Sequence, residues 1–141
     1  MTSFKVGMIG LGGMGQMMLA DMQKHENYSV RLVWDPNAEV CRATQSVTPG
    51  LRIASDAASL INDQAINLVY VASPPNTHRE YYLLAIEADT PMLCEKPFGV
   101  DVAASEDLLA RIENTRTPSL INFNHGNALG STFIEKELNN G

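Results

Sequence analysis

Short apolar runs alternate along this chain with longer stretches in which apolar and polar positions mix at helical spacing. The runs "FKVGMIG" (4–10), "VRLVWD" (30–35), "LRIA" (51–54), "INLVYVA" (66–72), "PMLCE" (91–95) and "SLINF" (119–123) predict strands. They carry little polar alternation, the pattern of strands buried on both faces. The stretches at 13–24, 37–46, 57–62, 76–88 and 102–114 predict helices, and Asp56, Asn76 and Asp101 stand where each can cap the helix that follows. Strand and helix in strict alternation predict an α/β fold, a doubly wound parallel sheet of the Rossmann type. After the sixth run, "NHGNALGSTFIEKELNNG" (124–141) predicts a loop and one more helix, with Phe133, Ile134 and Leu138 as its apolar positions.

Composition narrows the function classes. The formal net charge is −6, and the ten Lys and Arg residues are scattered without a run. A nucleic-acid surface needs a basic stripe, so no nucleic-acid partner is expected. No stretch reaches the ~18 apolar residues of a membrane span, and no charged leader precedes the first apolar run, so no membrane partner is expected either. Cys41 and Cys94 stand far apart, without metal-ligand spacing, and read as reduced structural thiols of a cytoplasmic protein that holds no metal.

The segment "KVGMIGLGGMGQMML" (5–19) sets Gly10, Gly12 and Gly15 in the spacing G-x-G-x-x-G between a predicted strand and a predicted helix. Asp35 ends the next strand 20 residues beyond Gly15. Together these make the dinucleotide fingerprint. Gly10 permits the tight turn, Gly12 lets the backbone approach a pyrophosphate, and Gly15 lets the helix sit close on the strand. The loop Gly10, Leu11, Gly12, Gly13, Met14 and Gly15 is therefore the predicted phosphate cradle at a helix N-terminus. Gln16 and Met17 stand where a P-loop needs Lys and Ser or Thr, which argues against nucleotide hydrolysis. Asp35 can accept both hydroxyls of the adenosine ribose, whereas a 2′-phosphate would face it as a like charge. At ~4 Å and an effective dielectric near 20, each such pair costs about 4 kcal/mol before solvent discount. NAD is the expected cofactor, ahead of NADP.

With "ASPPNTH" (72–78) and "CEKPF" (94–98) added, the chain resembles the N-terminal domain of the Gfo/Idh/MocA oxidoreductases, the glucose–fructose oxidoreductase and inositol dehydrogenase family. The resemblance implies that Ala72, Ser73, Pro74 and Asn76 border the cofactor. It sets His78 in the first turn of the next helix, either touching the cofactor or simply exposed. It implies that Glu95 bonds the nicotinamide ribose, and that Lys96 reaches the substrate hydroxyl as the catalytic residue, with Pro97 following a cis bond that aims it. Asn124, and less directly His125, are implied near the same crevice. Residues 1–125 then form the dinucleotide-binding domain, and residues 126–141 lead into a second, substrate-binding α/β domain. The activity implied is hydride transfer between NAD and a hydroxyl carbon of a sugar, polyol or related small molecule, in a homo-oligomer. A non-enzymatic dinucleotide sensor of the same fold is the alternative, which Lys96 argues against. A redox-sensing repressor would need a basic helix-turn-helix that the sequence lacks.

Overall fold

The computed structural model describes residues 3–123. Its elements are β1 (Phe4–Ile9), α1 (Gly13–Lys24), β2 (Tyr28–Trp34), α2 (Ala38–Val47), β3 (Arg52–Ile53), α3 (Ala57–Ile61), β4 (Leu68–Val71), α4 (His78–Glu87), β5 (Met92–Glu95), α5 (Val102–Glu113) and β6 (Ser119–Asn122). A 3-10 turn, Pro75–Thr77, leads into α4. Every strand pairs in parallel, in the order β3-β2-β1-β4-β5-β6. This is the doubly wound sheet that the alternation predicts. The predicted helix and loop after residue 123, with Asn124 and His125, lie outside the described residues.

The sheet is apolar on both faces because successive residues of one strand point opposite ways. Val6, Met8, Val33, Leu68 and Tyr70 pack with Leu19 and Met22 of α1 and Cys41 of α2. Ile9, Leu32, Val69, Val71, Met92 and Cys94 pack on the other face with Leu60 of α3, Tyr82 of α4 and Leu108 of α5. Both cysteines are buried free thiols.

Helix starts follow local hydrogen bonding. Asp56 accepts from the Ser59 amide at 2.6 Å in a capping box, and Asp101 accepts from the Ala104 amide at 2.7 Å. Asn76 does not cap α4, which corrects the expectation drawn from its position. It sits inside the 3-10 turn, and α4 begins after Thr77 without a side-chain cap. Two successive prolines cause this: neither has an N–H, and Pro74 holds Ser73 out of the helical region. The Thr77 hydroxyl instead bonds back to the Pro74 carbonyl at 2.7 Å. Asn37, predicted as the first residue of its helix, caps α2 by accepting from the Glu39 amide at 3.0 Å.

Candidate functional site: a crevice at the reversal of strand order

β1 and β4 lie side by side, and the chain winds outward from them in opposite directions, so the loops that follow them part and leave a crevice at the carboxyl edge of the sheet. A cavity of ≈ 560 Å³ opens there, lined by Gly10, Gly12 and Asp35 and by Ala72, Ser73, Pro74 and Asn76. These seven predicted residues come from three separate loops. Trp34 and Tyr81 line the same cavity, and neither was singled out from the sequence. An aromatic next to a fingerprint aspartate was the available signal for Trp34.

The glycines have distinct reasons. Gly10 has φ +89°, and a Cβ there would lie 2.7 Å from the backbone of Ala72 and Ser73. A Cβ on Gly15 would run into the Gly10 carbonyl. Both are demanded by the fold itself. Gly12 is not: a Cβ there meets nothing within 4 Å, although the residue lines the cavity. The bare backbone at Gly12 therefore answers to the space above it. Gly12 is also the N-cap of α1, where no side chain caps the helix and no acidic residue occupies the first turn. The N-terminal amides and the positive end of the helix dipole stay open to an anion. The side chain of Leu11 is buried in the core, so this residue faces the crevice region only through its backbone.

Asp35 stands at the end of β2 with both oxygens engaged. Oδ2 accepts the Leu11 amide at 2.8 Å, and Oδ1 accepts the Asn37 amide at 2.9 Å. The carboxylate thus ties the glycine loop to its own turn, and each oxygen keeps a further lone pair. On the opposite wall, the Ser73 and Thr77 hydroxyls bond at 2.7 Å and stiffen the turn.

Glu95 closes β5 and is only 5% exposed. Its Oε1 accepts both the Tyr70 phenol and the Asn122 amide group at 2.6 Å. Burial, with the Glu95 carboxylate beside it, pushes the Tyr70 phenol above its ordinary range, so it stays a donor. Tyr70 and Asn122 were missed by sequence reasoning because they are 25 and 27 residues from Glu95 in the chain. Lys96, the next residue, is exposed and makes no ion pair among the described residues. The Lys96–Pro97 peptide bond is cis. His78 is neither exposed nor free to reach into the crevice: it is 0% exposed, with its ring nitrogens 2.9 Å from the Pro97 and Ser73 carbonyl oxygens. Asn124 falls outside the described residues. Among those residues no cluster of three His, Cys, Asp or Glu can hold a metal, and no helix is long and apolar enough to cross a membrane.

Residues 4–123 match the family model described as an oxidoreductase family with an NAD-binding Rossmann fold. Inositol 2-dehydrogenase 2 of Paenarthrobacter aurescens is 32% identical over 106 residues, which are 75% of this chain and 32% of that relative. Inositol 2-dehydrogenase of Paracoccus denitrificans is 35% identical over 104 residues, 69% of this chain and 30% of that protein. The chain thus spans about a third of the length of these relatives. Among solved structures, myo-inositol dehydrogenase from Lactobacillus casei, in complex with NAD(H) and myo-inositol, superposes with a TM-score of 0.88 at 23% identity, over 100% of this chain and 42% of that one. Biliverdin reductase from Synechocystis, in complex with biliverdin and NADP+, gives 0.87 at 18% identity, over 96% and 43%. These two likenesses show the fold. Motifs, strand order and family match agree: the chain belongs to the Gfo/Idh/MocA oxidoreductase family and carries its NAD-binding Rossmann fold.

Proposed function

We propose that this chain is the cofactor-binding part of a dehydrogenase that moves a hydride between NAD and a hydroxyl carbon of a sugar, polyol or related compound. The observation that carries the reading is Gly12, bare of side chain over open space at the uncapped start of α1, on the same cavity as Asp35. The nicotinamide ring, when bound, supplies the hydride acceptor. The chain's own residues do the rest. The first amides of α1 bind the pyrophosphate, and Asp35 accepts the ribose hydroxyls. Glu95, anchored by Tyr70 and Asn122, orients the second ribose. Lys96 supplies positive charge or a proton relay at the substrate hydroxyl. The polyol class draws support from the inositol 2-dehydrogenases among the relatives.

Trp34 is the single tryptophan of the sequence and lines the cavity, so bound NADH should quench it by energy transfer. Gly12→Val should abolish that quenching and leave the circular dichroism unchanged. Undiminished affinity in the valine variant would overturn the reading. Hydride transfer also needs the substrate held against the ring, and the matched stretch is a third of the relatives' length. The 141-residue chain alone should therefore produce no NADH from a panel of sugars and polyols. In an active protein that carries this chain, Lys96→Ala should lower kcat by about 10²-fold or more, with NADH affinity little changed.

A further inference from the structure

His78 opens α4 on the crevice side yet is fully enclosed. Its two contacts reach two different turns. Nε2 lies 2.9 Å from the carbonyl oxygen of Ser73, a residue that lines the cavity. Nδ1 lies 2.9 Å from the carbonyl oxygen of Pro97, which directly follows Lys96. Carbonyls only accept, so each contact is a hydrogen bond when its ring nitrogen carries a proton. The neutral ring makes one at a time, and the imidazolium makes both. The packing continues on the cavity side. Gly10 approaches the Ala72–Ser73 backbone so closely that a Cβ would lie 2.7 Å from it, and the Gly10 carbonyl abuts Gly15 of α1. Touching atoms therefore run from the start of α1, through Gly10 and Ser73, to His78, Pro97 and Lys96. Imidazole is a flat ring with two torsions, and close-packed interiors shift as units rather than deform. His78 is thus placed to pass a displacement of the Ser73 carbonyl on to the Pro97 carbonyl.

We propose that His78 is a positioning residue that couples the cofactor-binding turn at Ser73 to the turn carrying Lys96, so that filling the crevice sets the orientation of the lysine. The inference rests on the dinucleotide reading above. A histidine that merely filled space would affect stability but would carry no response from one turn to the other.

The probe is ADP, which reaches the glycine loop and the Ser73 turn but lacks the nicotinamide half that would touch Lys96. In the 15N-labelled 141-residue chain, ADP should shift the amide resonances of Gly12 and Ser73, and those of Lys96 and Phe98 with them. In His78→Phe, which keeps an aromatic ring without an N–H, the Gly12 and Ser73 shifts should persist. Those of Lys96 and Phe98 should fall roughly fivefold or more. Lys96 and Phe98 shifts of unchanged size in this variant overturn the coupling. Should circular dichroism show His78→Phe unfolded, His78→Gln replaces it; its single amide nitrogen cannot stand at both ring-nitrogen positions, and the same loss is expected. An unmodified chain in which ADP shifts Gly12 and Ser73 but not Lys96 and Phe98 refutes the coupling alone. One whose Gly12 and Ser73 amides ignore ADP overturns the dinucleotide reading, and the coupling, which rests on it, falls with it.

Discussion

Both carboxylate oxygens of Asp35 accept backbone amides before any ligand reaches them. The residue thus does two jobs, holding the Leu11 amide and presenting a negative charge at the crevice, and a substitution disturbs both. Asp35→Ser should weaken NADH and NADPH alike through the loosened loop, but it removes the like charge facing a 2′-phosphate. The ratio of the two affinities is therefore the informative quantity. Arg42 lines the adjoining recess with Asp35, so its charge would offset part of any such repulsion. With solvent screening added, the ratio should move toward NADPH by about tenfold, well short of the unscreened ~4 kcal/mol. Titrations of Trp34 quenching in both proteins measure it. NADPH binding the native chain as tightly as NADH would show that Asp35 does not select.

α1 and α4 begin differently from the other three helices. α2, α3 and α5 start on side-chain caps from Asn37, Asp56 and Asp101, whereas α1 and α4, which open on the crevice, have none. A cap is a local bond between residues two or three apart, so its loss has a local cost. Asp101→Ala should destabilise the chain by about 1 kcal/mol in urea unfolding and speed amide exchange in the first turn of α5. Asn76→Ala should change stability by less than about 0.5 kcal/mol, because Asn76 caps nothing. Equal losses in the two variants would show that Asn76 caps α4 after all.

At the scale of the whole molecule, the core holds ionisable groups that folding keeps neutral. Burial pushes the Cys94 thiol from its ordinary 9.0 up to about 12, and burial likewise raises the Tyr70 and Tyr82 phenols. The unfolded chain releases these protons first. Their contribution to stability is complete below pH 9 and is lost as pH rises toward the folded-state values. For Cys94 alone the slope is about 1.4 kcal/mol per pH unit between about pH 9 and 12, with the phenols adding to it higher up. Urea midpoints should fall steadily from about pH 9 to 10.5, and Cys94→Ala should flatten the first part of that fall. An alkaline limb of equal slope in the alanine variant would place the titrating group elsewhere.

Apolar spacing was enough to locate the strands and most helix ends, because burial on two sheet faces leaves unbroken apolar runs and caps act across two or three residues. The glycine turn and its aspartate, proposed above as a phosphate cradle, were legible for the same reason: Gly10, Gly12, Gly15 and Asp35 sit at fixed distances along one strand–helix–strand unit. Asn76 misled because a cap-forming residue is a local signal, and the two prolines before it overrode that signal within the same turn. What local signals cannot carry is which loops meet. Glu95 is anchored by Tyr70 and Asn122 only because β4, β5 and β6 lie side by side. His78 meets the Pro97 carbonyl only because the turn after β5 lies beside the start of α4. Local sequence determined the elements and the glycine turn after β1, through bonds and burial repeating over a few residues. Tertiary structure decided the partners of Glu95 and His78, because those bonds exist only once the sheet has brought distant strands to one edge.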